Sequence, residues 1–315
     1  MSRANSRITS AKANFIMSID NNRSTQGVVL PGDVSQDIWQ NIQRESVIQK
    51  LGVRTVVPGV GTTIPIIEGT PEAEWVQETD EKPVRRSLLS SKAFKPYTLA
   101  VIEPFSNQFV RDLPALFDAM RTRLPKALAR KFDRTALGFV ASPGVGFDTL
   151  NDLATVDIST NPYDGLLSAL RTVVGSDEDE SADITAWALT PLGEVALLGE
   201  RDNDGHPLLT SGAAEGGSIG QLLGRPVYKT SHVGNSATHA VGVAGDWSSV
   251  VWGYSQAITV SISEEATLVD EDGKVINLWQ RNMIGVRAEC EIGFVARDHG
   301  RFVRLTHTGA APSGG

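Results

Sequence analysis

The first thirty residues are polar and weakly periodic, and they end at Pro31-Gly32. Helical spacing then begins. Asp33 stands where it can cap, Val34, Ile38 and Ile42 recur at steps of four beside Trp39, and Glu45-Ser46-Val47 continue the pattern. From residue 51 to about 103 the period shortens to that of strands. Thr55-Val56-Val57 and Thr63-Ile64-Pro65-Ile66-Ile67 are β-branched runs. Ala73-Glu74-Trp75-Val76-Gln77-Glu78 follows, then a charged tip with Asp80, Glu81, Lys82, Pro83, Arg85 and Arg86, then a return strand predicted from Leu88 to Ile102. Too few large apolar residues lie here to bury both faces, and a two-stranded ribbon is marginal alone. The ribbon is expected to pack on something else.

The strongest helical signal spans 111–140. Asp112 can cap it, Pro114 falls in its first turn, and Leu113, Leu116, Phe117, Met120, Leu124, Leu128 and Phe132 recur at steps of three or four. Pro125 interrupts this pattern and predicts a kink or split, because an interior proline costs about 3 kcal/mol. Residues 161–254 alternate helix and strand. Asn161-Pro162 opens one helix, Ile184 to Thr190 reads as a strand, Pro191 opens a second helix, and strands follow at Pro226-Val227-Tyr228 and from His239 to Val243. The last stretch is antiparallel: Ile258, Val260 and Ile262 alternate with polar residues, Asp270-Glu271-Asp272-Gly273 turns the chain, and Ile284, Val286, Ala288, Cys290, Ile292 and Phe294 share one face.

Length and composition narrow this picture. A chain of 315 residues with 41% apolar content can build a core, as one large domain or two ordinary ones. With 29 basic and 37 acidic residues the net charge is −8, which argues against a protein that grips phosphate backbones to read sequence. The single cysteine, Cys290, excludes an intrachain disulfide and a zinc site built from several cysteines, and its place on an apolar face reads as core. No apolar run approaches the about 18 residues of a membrane span. Arg3, Arg7 and Lys12, with no acid before Asp20, resemble a transit peptide in composition, but a flexible basic arm is the preferred reading.

No catalytic constellation assembles. There is no Gly-x-x-x-x-Gly-Lys-Ser/Thr, no His-Glu-x-x-His and no Gly-x-Ser-x-Gly. Glu200, Asp202, Asp204 and Gly205 mimic the start of a calcium loop, but Ser211 stands where a bidentate Glu is required. His232 and His239 are placed to approach each other across a hairpin, yet a pair without a third ligand is a poor metal site. We therefore assign no catalytic, cofactor-binding or metal residue.

The order of elements resembles the major capsid proteins of tailed bacteriophages, with the Hong Kong 97-type capsid fold. Ala73-Glu74-Trp75-Val76-Gln77-Glu78 resembles a strand of that family's extended loop. The run from Ala127 to Gly138 resembles the end of its spine helix, and Leu222-Leu223-Gly224-Arg225-Pro226-Val227 its Leu-Leu-Gly-x-Pro-Val. Gly245-Asp246-Trp247 resembles its Gly-Asp-aromatic, and Gln280-Arg281-Asn282 onward its late strand pair.

The resemblance implies an α+β subunit: an N-terminal arm (1–30), a peripheral domain in three parts (31–62, 103–150 with a long spine helix, and 255–315 with antiparallel strands), an extended β-hairpin loop (63–102) and a mixed α/β axial domain (151–254). It implies a structural protein that self-assembles as hexamers and pentamers into an icosahedral shell around DNA, in the virion, after assembly in the host cytoplasm. Inter-subunit contacts are expected at Trp75, Glu78, Asp80, Glu81, Lys82, Arg85 and Arg86 of the loop and at Arg3, Arg7 and Lys12 of the arm. Portal, a separate scaffolding protein and a decoration protein are the implied partners. Double-stranded DNA is expected to be touched only non-specifically, with no membrane involved. Some relatives cross-link a loop Lys to an Asn. Lys82, Lys92, Lys95, Asn277 and Asn282 match no motif for this, so no cross-link is expected. The alternatives are an encapsulin-type cage holding a cargo enzyme, and an α/β enzyme or ligand-binding protein using 161–254.

Overall fold

A computed structural model describes residues 45–68, 75–76, 82, 84, 88–107, 113–176, 182–198, 209–210, 218–270 and 272–308. The arm with Arg3, Arg7 and Lys12, the helix predicted from Asp33, and the calcium-like loop at 200–205 lie outside the described residues. Helical spacing was expected to run on through Val47. Instead Ser46 adopts an extended conformation and starts a new helix, α1 (Val47–Leu51), by accepting a hydrogen bond from Gln49 N at 3.2 Å.

After the two-residue strand β1 (Val53–Arg54), β2 (Thr62–Glu68) and β3 (Leu88–Phe94) form an antiparallel ribbon, in register from Thr62–Phe94 to Glu68–Leu88. The single return strand expected from Leu88 to Ile102 is two. β3 stops at Phe94, and β4 (Tyr97–Ser106) enters a different sheet. Pro96 separates them, since it has no N–H for a ladder. Lys95 N turns aside to Gly146 O at 2.8 Å.

The long helix α2 (Leu113–Ala136) corrects another expectation: it runs through Pro125 without splitting. Pro125 is buried between Leu124 and the next turn's Leu128, and burial of this face offsets the missing hydrogen bond. Gly138, at φ 78°, takes the left-handed conformation that ends the helix.

There follow β5 (Ala154–Asp157), α3 (Pro162–Val174), β6 (Ala186–Leu189), α4 (Pro191–Leu198), β7 (Leu209–Thr210), β8 (Gly220–Leu222), β9 (Arg225–Lys229) and β10 (Ala240–Gly245). The chain closes with β11 (Val250–Ser263), β12 (Thr267–Val269), β13 (Val275–Asn277), β14 (Met283–Ala296) and β15 (Phe302–Thr306). Asn161 caps α3 by accepting from Asp164 N, with Pro162 at the first helical position, as the sequence predicts.

Two main sheets organise the fold: a four-stranded one in the order β1-β11-β14-β4 and a seven-stranded one in the order β5-β15-β10-β6-β9-β8-β7. The even-numbered face of β14, from Ile284 to Phe294, is buried against Leu124, Leu128 and Phe132 of α2. Phe132, Phe147 and Phe294 meet there with ring centroids 6.1–6.3 Å apart. Leu166, Ala169 and Val173 of α3 pack on the seven-stranded sheet in a second core, and Ala186, Ala188, Val243 and Phe302 on its other face join the first core.

The sheets depart from the expected division at two places. Val250 to Tyr254 already lie in the four-stranded sheet, and β15, expected among the peripheral strands, pairs between β10 and β5. Phe302, Val303 and Leu305 are buried on both sides of that strand, the pattern of a central strand rather than a half-exposed one.

Candidate assembly surfaces

The β2–β3 ribbon is bare where it leaves the body: Thr63, Pro65, Ser90, Ser91 and Ala93 are exposed. Its base is fixed on the body. Phe94 is fully buried with Val57, Val251 and Val295, its ring 2.7 Å from where a side chain on Gly293 would begin. Beside it, Lys92 Nζ lies 3.1 Å from Asp148 Oδ2 and donates to Ala296 O at 2.7 Å. Asp148 also faces His299 Nε2 at 3.0 Å and accepts from Ala296 N at 3.3 Å. Burial alone would raise the Asp148 pKa. The hydrogen bond and charge of His299, then those of Lys92, outweigh it and hold the carboxyl at about 2. Lys92 is therefore an anchor of the ribbon, already committed to Asp148.

Beyond the base, Trp75 is wholly exposed at 105%, and Lys82 and Val84 are exposed as well. Glu78, Asp80, Glu81, Arg85 and Arg86 lie outside the described residues. Asn282 accepts from Asn107 Nδ2 at 2.7 Å, tying the start of β14 to the end of β4, and Asn277 accepts from Gln280 N at 3.2 Å in a local turn. Two further apolar patches face outward. Leu192, Val195 and Leu198 recur at steps of three along α4, and Val269 and Val275 pair across the β12–β13 hairpin; Trp279 is exposed as well.

The histidine expectation is corrected. His232 does not meet His239; its Nδ1 lies 2.7 Å from Asp133 Oδ2, and Asp133 also accepts from Ser46 Oγ and Val47 N. Asp133 is completely buried, so this trio fastens α1 and the 3-10 turn Ser231–Val233 to α2. It offers no exposed nucleophile. The signal was available: Asp133 follows Ala129 by four on the helix's apolar face, where a carboxylate demands partners. Cys290 is buried and its thiol is pushed up to about 12 by desolvation, with Glu289 adding to the effect, which fits the core reading. Among the described residues no group of three metal-ligating side chains comes together, and no helix is long and apolar enough to cross a membrane.

Among the described residues the subunit shows an exposed ribbon, outward apolar patches and no cluster of metal-ligating side chains. The model of the phage capsid family matches residues 26–307. The chain belongs to that family. It is 28% identical over 302 residues to the probable major capsid protein gp17 of Mycobacterium phage L5, covering 89% of this chain and 90% of the relative. A solved chain from Gordonia phage Cozz superposes with a TM-score of 0.62 at 23% identity, over 84% of this chain and 87% of the other. The capsid of a native GTA particle gives 0.54 at 14% identity, over 96% and 99%. The fold is thus the Hong Kong 97-type capsid fold, and the role of this capsid protein is structural. Relatives of this kind do not favour the cargo-cage reading. As a capsid protein, the chain self-assembles into a shell.

Proposed function

We propose that this capsid protein closes an icosahedral shell as hexamers and pentamers around the double-stranded DNA of a tailed phage. The observation that carries this reading is the ribbon, secured at Lys92 and Phe94, with Thr63, Pro65, Ser90 and Ser91 exposed near its base and Trp75 wholly exposed further along. Trp75, Glu78, Asp80, Glu81, Lys82, Arg85 and Arg86 make contacts with a neighbouring subunit, and the arm residues Arg3, Arg7 and Lys12 extend over another. Each contact is modest, since exposed ion pairs contribute about 0–1 kcal/mol, but closure makes many act together. The protein carries out no catalysis. A portal and a separate scaffolding protein assist its assembly in the host cytoplasm, a decoration protein has outward patches to bind, and DNA is held only non-specifically. The net charge of −8 suits a wall that must not grip its contents.

Deleting residues 68–88 tests the role of the loop. The expected outcome is a folded subunit that sediments as small species, with no closed shells by negative-stain microscopy. Shells of normal size from the deletion would refute the assignment.

A further inference from the structure

One cleft is unlike the rest of this acidic chain. It lies where the C-terminal half of α2 meets the seven-stranded sheet, has a volume of about 590 Å³, and is lined by Arg130, Arg134, His239 and His307 with no aspartate or glutamate. Arg130 and Arg134 stand one helical turn apart, where like charges repel, and neither forms an ion pair among the described residues. The Arg134 guanidinium is held in place, donating to Gly234 O at 2.8 Å and lying 5.6 Å from the centre of the Phe139 ring. His239 sits at φ 51°, and its carbonyl accepts from His307 N at 3.0 Å. His307 Nδ1 is buried without a hydrogen-bond partner. Two arginines, one of them fixed, beside a buried ring nitrogen without a partner suit a group bearing several anionic oxygens.

The longest acidic run of the chain, Asp177-Glu178-Asp179-Glu180, is absorbed by nothing described so far. It lies outside the described residues, but its flanks are placed. Ser176 adjoins Gly300, just before β15, and Thr185 N donates to Gly245 O at the end of β10. The basic cleft is at the other end of the same strands, by Ala240 at the start of β10 and His307 just past β15. Seven residues of strand from Gly300 to His307 span about 23 Å, whereas the four residues beyond Ser176 reach at most about 14 Å. The run cannot enter the cleft of its own chain.

We propose that the cleft receives the acidic run 177–180 of a neighbouring copy, in a head-to-tail contact between subunits. Donor and receptor lie at opposite ends of one sheet, so the contact is heterologous, the type that forms a ring such as a capsomer when its rotation closes. It rests on the shell reading above and names one of its interfaces. Complementary charge here sets register and partner choice more than affinity.

A charge swap tests it. Arg130 is exposed and unpaired, so Arg130→Glu should fold with an unchanged melting temperature and lower the yield of closed particles at least tenfold. Glu178→Lys with Glu180→Lys should do the same, and the combined variant should recover most of the wild-type yield. A combined variant no better than its parents overturns the proposal, as does a Lys-substituted run that assembles normally. Normal particles that lose only their DNA when Arg130 is replaced also overturn it, in favour of a phosphate contact. The isolated wild-type subunit supplies a readout independent of assembly. A peptide of residues 174–183 should shift the His239 and His307 ring signals in NMR spectra of the wild type and not of Arg130→Glu. No shift, or an equal one from inorganic phosphate at matched charge, overturns the segment as occupant. If the wild type forms no particles while the peptide still binds, the shell reading alone has failed.

Discussion

Two aspartates show how much depends on where a single carboxylate is placed. Asp133 is fully buried and accepts from Ser46 Oγ, Val47 N and the His232 ring. Truncating it leaves three buried donors without an acceptor, and each such orphan costs about 1–3 kcal/mol. Asp133→Ala should therefore lower subunit stability by about 3–5 kcal/mol in urea unfolding, while leaving the exposed ribbon untouched. Asp148 acts through charge. Its folded pKa of about 2 lies below the usual 3.8, so its stabilising effect is complete above the unfolded value and is lost as pH falls through the folded one. Asp148→Asn should cost about 2 kcal/mol at neutral pH, and the gap to wild type should close between about pH 5 and pH 2. A gap that stays constant over that range would show that shape, not charge, secures the ribbon's base.

At the scale of elements, what could be read from the sequence depended on whether partners were local. The even-numbered apolar face of β14, the Asn161 cap and the turn at Gly273 were all legible, because each rests on residues a few positions apart. Pro125 misled, because the cost of an interior proline is local while the burial that offsets it comes from a sheet more than a hundred residues away. The break at Pro96 was missed for a related reason: residues compatible with a strand run on from Leu88 to Ile102, and only the change of partner from β2 to β14 reveals two. The β1 region carries a further constraint. A side chain on Gly253 would strike Thr55 O and come within 2.7 Å of Val57 Cγ2, so β11 can accept the 53–57 segment only with glycine there. Gly253→Ala should cost at least about 2 kcal/mol by overpacking, read as a lower unfolding midpoint, with β1 losing its hydrogen-exchange protection first.

The whole subunit has a division of apolar material that is hard to explain for a free monomer. Trp187, Trp247 and Trp252 are 0–2% exposed and fill the two cores, whereas Trp75 and Trp279 stand 105% and 71% exposed. Large aromatic side chains contribute most when covered, and on a soluble surface they invite association. If the proposed loop contact holds, Trp75 gains its cover from a neighbour at the step of assembly. This division gives an optical test, because the buried tryptophans do not change their surroundings when subunits meet. On assembly, the emission of the wild type should shift to shorter wavelength and become less accessible to iodide. Trp75→Phe should assemble with much of that change missing, since the remaining shift comes from Trp279 and the undescribed Trp39 alone. If Trp75→Phe shells show the full wild-type shift, the tip of the ribbon stays in solvent within the shell, and the loop acts through its base and not through its end.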